Sequence, residues 1–360
     1  MRKYYLDNIR WMTVILVVLY HVIYMFNGVI TGGVIGPFQP VQYQDAFEYL
    51  LYPWFMILLF TVSGVSAKLA LDKQSSREFL AARTEKLLVP STVGLLVFQW
   101  IGGYVSMTVA GAFDELSAAV PKFVLYLILV FSGTGVLWFI QLLWIYSVLL
   151  LLVRRIEKDR IRNRFKNCGI VCLLFMTVPL WLSAQILNMP VISVYRFGIY
   201  GMAFLLGYFV FSHEAVVERL SELFLPLGLT AILLGGLYAQ YYFGENYAEK
   251  PVVNSFFSVA YGWIAVLAVF AVMKRFGDKT SPFANWMGRH SFGIYVFHYL
   301  PLSAAAYWIC RNYRLPAVPS YLITAVAAFA GSILLYELIS RIPVIRWCVL
   351  GIHKKREKDV

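Results

Sequence analysis

Ten apolar stretches, each some 16–25 residues long, follow one another along the chain at roughly 8–26, 47–71, 87–110, 134–153, 168–187, 197–212, 223–242, 255–273, 291–309 and 321–340. Stretches of this length match the hydrocarbon core of a bilayer. The expected fold is therefore all-α: a polytopic helical bundle of about ten transmembrane helices. Composition agrees. The chain of 360 residues is 60% hydrophobic and only 14% charged, with a mean hydropathy of +0.70. A soluble domain carries about 25% charged residues. The length leaves room for one membrane domain, 1–360, ending in a basic tail, 341–360. The apolar piece 118–131 is short and precedes a Gly-Thr-Gly turn, so it reads as interfacial or re-entrant.

Charge sets the expected orientation. With ten spans, 26 of the 31 Lys and Arg residues fall on one side, including the 154–166 run RRIEKDRIRNRFK. Only Lys122, Arg196, Lys250, Arg311 and Arg314 fall on the other. Positively charged loops stay cytosolic, so both termini and the 154–166 loop are expected there, in a multi-pass protein of the inner (plasma) membrane. An eleventh span at 118–131 would turn the 154–166 loop outward. The net charge of +12 follows from these loops and does not indicate nucleic acid. Cys168, Cys172, Cys310 and Cys348 show no metal or redox spacing; Cys168 and Cys172 are expected on one helix face as packing residues. No metal site is expected.

The first span carries ionisable groups where they are expensive. Arg10 and His21 stand eleven residues apart. Eleven steps of about 100° bring both to one helix face, about 16 Å apart along the axis. A cation near the surface and a titratable base near the midplane mark a functional face. Packed histidine and snorkelling arginine are the plain alternatives, and Asp7 is in reach of an ion pair with Arg10.

Other residues join them. Ser63 and Gly64 form a small pair in the second span, suited to close helix contact or to making room for a ligand arm. Arg83 and Lys86 lie one turn apart before Pro90, either as topology-setting charge or as phosphate ligands. Trp138 fits an interfacial belt, while Gln141 lies within its span. Tyr295 and His298 share a helix face, where a structural hydrogen bond is the simpler role. On the outer side, Asp45, Glu48, Asp114, Glu115 and Arg196 are candidate acceptor contacts, each expected to be solvated.

These landmarks, in order, resemble a known family. LDNIRWMTVILVVLYH resembles the opening of membrane-bound acyltransferase family 3, with its Arg, ten residues and His. TVSGVS looks like the family's Ser-Gly element, and RTEKLLVP is similar to its basic pair, with Lys86 where Arg is usual. LWFI, FLLGY at 204–208 and SFGIYVFH follow in the family's order. The resemblance covers nearly the whole chain and implies an acyltransferase transferring groups other than aminoacyl groups. It implies acyl-CoA as co-substrate, with no permanently bound cofactor. An acyl group, acetyl or succinyl, would pass to a hydroxyl of a glycan or other envelope acceptor. The extra hydrolase-like domain of some members is not in this chain.

The residues and the resemblance together suggest roles. His21 and Arg10 are the catalytic candidates. Arg10, Arg83 and Lys86 would meet the phosphates of coenzyme A, with Ser63 and Gly64 beside its arm. Trp138, Gln141, Tyr295 and His298 are candidate substrate contacts. His21 acts either as general base or as a carrier of the acyl group. A transporter or exporter of a lipid or glycan is the alternative function; the halves show no repeat symmetry of the kind many transporters have. A structural partner in an envelope assembly is a third reading.

Overall fold

The structure is a computed structural model that describes residues 2–30, 33–189 and 194–353. Residues 354–360 of the expected basic tail lie outside the described residues. The described chain is helical with no strands; Asn188 and Arg196 form an isolated bridge. The principal helices are α1 (Tyr4–Tyr24), α2 (Phe55–Leu71), α3 (Ser76–Val109), α4 (Lys122–Ser132), α5 (Trp138–Glu157), α6 (Ile170–Ala184), α7 (Phe197–Phe211), α8 (Glu214–Glu222), α9 (Phe224–Tyr242), α10 (Phe256–Phe276), α11 (Pro282–Phe297), α12 (Tyr299–Asn312), α13 (Ala317–Arg341) and α14 (Pro343–Leu350).

Among the described residues, seven helical segments are long and apolar enough to cross a membrane: Tyr4–Tyr24, Tyr43–Leu71, Ser76–Val109, Gly135–Glu157, Phe224–Tyr242, Phe256–Phe276 and Ala317–Arg341. The other three expected spans take different forms. α6 is shorter, and α7 turns through 95° into α8. The stretch 291–309 divides at His298 into α11 and α12. Pro301 accounts for that division, because it has no N–H to give the carbonyl four residues back. The 118–131 piece forms the short helix α4, about 16 Å long and too short to span. Helix α6 begins at Ile170, so Cys168 precedes it and shares no helix face with Cys172.

Several helices leave wide apolar faces uncovered. Ile232 on α9 is 74% exposed and Val326 on α13 is 66% exposed. Such faces are stable against lipid tails and costly against water, which identifies a multi-pass membrane protein. The helix ends carry polar stops. Ser255 caps α10 by accepting the Ser258 N–H at 3.0 Å, and Lys274 and Arg275 occupy its last turn.

Packing resolves the chain into two interleaved units. The first contains 1–16, 46–80 and 145–288; the second contains 17–45, 81–144 and 289–360. In the first unit α2 crosses α7 at two glycines. A Cβ on Gly64 would lie 2.0 Å from the Phe204 carbonyl oxygen, and one on Gly207 would lie 2.0 Å from that of Thr61. The backbones touch because neither position has a side chain. In the second unit Gly103 and Gly133 do the same for α3 and α4, against Leu129 and Gln99.

Helix α3 is not a uniform α-helix. It widens to i→i−5 hydrogen bonding at Thr84–Leu88 and again at Leu95–Gln99. The first widening ends at Val89, whose N–H donates to the Thr84 carbonyl, and Pro90 follows directly. Proline withholds the N–H that the Lys86 carbonyl would take in an α-helix. Gly351, at φ 62°, seats after α14 against this turn, where a Cβ would lie 2.3 Å from the Glu85 carbonyl.

The glycine crossing gives a direct test. Gly64→Val forces α2 and α7 apart and is expected to cost about 3 kcal/mol or more. Thermal unfolding of the purified protein in detergent should show a clearly lowered Tm, against little change for the neighbouring Ser63→Ala. An unchanged Tm for Gly64→Val would contradict the crossing.

Candidate functional site

The first cluster forms around Arg10, in the first unit. Its Nη1 donates to Asp7 at 2.7 Å, one turn earlier on α1. Its Nη2 donates to the Ser66 hydroxyl. Asp7 also accepts from Arg2 Nε at 2.8 Å. The Arg10 side chain remains 39% exposed, so it is held in place and still reachable. Ser66 in turn donates to the Val62 carbonyl at 2.6 Å, which fixes its oxygen toward the arginine. Sequence reasoning singled out Ser63 and Gly64 and passed over Ser66. Ser63 donates to Leu59 at 2.7 Å, and Gly64 faces α7. The space beside Gly64 is filled by the Phe204 backbone, the close helix contact expected of a small residue.

The second cluster forms around His21, in the second unit. His21 Nδ1 lies 2.8 Å from the Val17 carbonyl oxygen, one turn earlier on α1. A carbonyl can only accept, so Nδ1 carries the hydrogen. His298, fully buried at the division between α11 and α12, has Nδ1 2.9 Å from the Tyr295 carbonyl and 3.2 Å from that of Ile294. By the same reasoning its Nδ1 is protonated and its Nε2 holds a lone pair. That Nε2 lies 3.2 Å from His21 Nδ1. The His21 Nδ1–H is thus shared between the Val17 oxygen and the His298 nitrogen. What remains on His21 is Nε2, with its lone pair available.

This is the arrangement of a base held by a third group. Three backbone carbonyls, Val17 for His21 and Tyr295 and Ile294 for His298, set the tautomers of the two rings, and the second ring stands ready to accept from the first if it becomes charged. His21 is half-buried, and its ring is edged by Tyr24, at 6.2 Å between centroids, and by Tyr299, at 5.4 Å. Both tyrosines escaped the sequence reading. Tyr24 carried a signal, being one turn from His21; Tyr299 merely adjoins His298.

The remaining candidates divide by what their polar groups do. The Tyr295 hydroxyl donates to the Val136 carbonyl, and the Gln141 amide donates to the Ser91 carbonyl at 3.1 Å. Both bonds tie helices together, the simpler role expected for Tyr295. Trp138 is half-buried with its ring 6.3 Å from that of Phe139. Arg83 is half-buried and Lys86 exposed, at the widened turn of α3. Glu85, between them, pairs with His353 at 3.2 Å.

Three of the outer residues expected to be solvated are buried instead. Asp45 is 3%, Glu48 0% and Arg196 3% exposed. Asp45 accepts from the Gly28 N–H at 3.0 Å, Glu48 from the Tyr247 hydroxyl at 3.0 Å, and Arg196 donates to the Val253 carbonyl and the Asn254 side chain, each at 3.1 Å. Each is affordable in the interior because it is hydrogen-bonded. Asp114 and Glu115 are exposed. Among the described residues, no group of three or more His, Cys, Asp or Glu is placed to hold a metal ion.

Comparison with known proteins is decisive at the level of family. No curated protein and no solved structure matches the chain. A family model described as an acyltransferase domain, that of acyltransferase family 3, matches residues 3–337. With helices long and apolar enough to cross a membrane and a family match spanning nearly its whole length, the chain is an acyltransferase and belongs to membrane acyltransferase family 3.

Proposed function

We propose that the protein moves an acyl group, acetyl or succinyl, from acyl-CoA to a hydroxyl of a glycan or other envelope acceptor. The observation that carries this reading is the His21–His298 contact, with His21 Nε2 left as a base of defined tautomer. The acceptor hydroxyl attacks the thioester carbonyl while His21 Nε2 takes its proton. The positive charge that arises on His21 is shared through Nδ1–H with Val17 and His298. The tetrahedral adduct then collapses, the C–S bond breaks, and the departing thiolate takes the proton back from His21 as coenzyme A leaves. A general base of this kind contributes about 10²–10⁴-fold to the rate.

The donor end of the reading rests on cations. Arg10 belongs to the same unbroken helix as His21, about 16 Å away along its axis. That distance is too long for Arg10 to touch the reacting carbonyl and suits a phosphate at the far end of the donor. Arg83 and Lys86 are proposed as further phosphate contacts, since guanidinium and ammonium groups bind phosphate well. Ser63 is proposed beside the pantetheine arm, and Trp138 on the acceptor side. The charge asymmetry of the loops supports entry of the donor from the cytosol, with both termini on that side of the inner membrane.

Two outcomes are expected. First, His21→Ala lowers kcat by 10²–10⁴-fold, on the order expected for loss of a general base, and leaves acyl-CoA binding near that of the parent protein. Arg83→Ala does the reverse, raising KM for acyl-CoA about ten- to hundredfold for loss of one charge-assisted contact. Steady-state kinetics and direct acyl-CoA binding on the purified variants make the comparison. Full turnover in His21→Ala, or donor binding lost there and kept in Arg83→Ala, would reverse the assignment. Second, a cysteine introduced at Arg160 should resist an impermeant thiol reagent in intact cells; its labelling would invert the topology.

A further inference from the structure

The 154–166 loop carries seven of the chain's 31 Lys and Arg residues, and topology alone does not account for the shape they are given. At the basic end of α5, within the first unit, lies a crevice of about 410 Å³. Leu80, Val148, Leu151 and Leu152 form its apolar part. Arg154, Arg155 and Lys158 form its charged part. Among the described residues, none of these three side chains is held in an ion pair.

The acidic residues beside them do not neutralise this edge. Glu157 is 6% exposed, and its two oxygens accept the backbone N–H groups of Asp159 at 2.8 Å and Arg162 at 3.0 Å. These bonds close the reversal of the chain, where Lys158 and Asp159 take the left-handed values φ 48° and 61°, and Glu157 keeps its negative charge. With Asp159, the lining sets two carboxylates against three cations, an excess of one positive charge. The loop is therefore built to a fixed shape with an excess of positive charge at its mouth.

Its surroundings are not those of a loop in water. Ile156, between Arg155 and Glu157, is 83% exposed, and Leu152, one turn earlier, is 51% exposed. Apolar side chains this open beside clustered cations suit the boundary between lipid tails and headgroups. We propose that the crevice holds one anionic phospholipid, its phosphate on Arg154, Arg155 and Lys158 and the start of an acyl chain along Leu151 and Leu152. Guanidinium forks match phosphate oxygens in geometry, and the leucines give the chain an apolar bed. A soluble phosphate compound would use the charged half alone, so the apolar half favours the lipid. The site is distinct from the clusters around Arg10 and His21 and does not depend on the reaction.

The test uses the full-length purified protein in a neutral detergent. Phosphatidylglycerol and phosphatidylcholine of the same acyl chains, and inorganic phosphate, are titrated separately, with native mass spectrometry for bound lipid and Tm for stabilisation. Phosphatidylglycerol should bind at least tenfold more tightly than phosphatidylcholine and raise Tm. Arg155→Ala with Lys158→Ala, both exposed positions, should weaken it about fivefold per cation, or about 25-fold together. Leu152→Gln should weaken the lipid as well, since it disturbs the apolar half. Equal binding of the two lipids, unchanged phosphatidylglycerol affinity in the double variant, or displacement of the lipid by millimolar inorganic phosphate would each overturn the proposal.

Discussion

A chain that crosses a bilayer must satisfy its own backbone, because hydrocarbon offers no hydrogen bonds. Almost everything here follows from that. The described residues are largely helical, and the crossings of α2 with α7 and of α3 with α4 are made by glycines that let saturated backbones touch. Departures from regular helix are costly in such a setting, so their positions carry information. One falls at His298, where Pro301 withholds an N–H and α11 gives way to α12. Another falls at Thr84–Leu88, between Arg83 and Pro90. His298 and Arg83 thus lie where the helical rule is relaxed, whereas Arg10 and His21 share the unbroken helix α1.

In the histidine pair the tautomers are set with few parts, which suits the base role proposed for His21. No carboxylate is needed to orient His21. The Val17 carbonyl does it, and the Tyr295 and Ile294 carbonyls orient His298 in the same way. Helix carbonyls one turn back are always present, and a histidine that uses them fixes its own tautomer. A neutral partner also avoids placing a permanent charge in the apolar layer, where its desolvation would be expensive. Arg10, by contrast, is permanently charged, and it is found with Asp7 and Ser66 around it and part of its surface open.

Much of this was legible in the sequence where the signal was local. The apolar runs gave the helices, and the spacing of Arg10 and His21 gave a shared face on what proves to be one helix, Tyr4–Tyr24. Relations between distant residues were not legible. His21 and His298 stand 277 positions apart, and no periodicity connects them. Ser66 looked like any small residue in its span until Arg10 was found against it. Asp45, Glu48 and Arg196 read as solvated because charge is usually solvated; their burial depends on partners such as Gly28, Tyr247 and Asn254, which come from other elements. Pro301 was visible, but an apolar run hides a break when its residue types do not change.

The two widened turns of α3 have a consequence for anyone reading that helix as a wheel. An i→i−5 turn accommodates one residue more than an α-turn, so each sets the angular phase of the residues beyond it back by about 100°. Across Thr84–Leu88 and Leu95–Gln99 the offset reaches about 200°. Arg83 and Gly103 therefore point in directions that no single helical projection of Ser76–Val109 predicts. Removing one residue from the first widened turn would restore ordinary winding there and leave the direction of Arg83 relative to Gly103 nearly unchanged, because the lost residue and the lost offset, each about 100°, cancel. The irregularity acts as an angular offset written into the backbone: it lets one helix present its cations in one direction and its glycine contact with α4 in another.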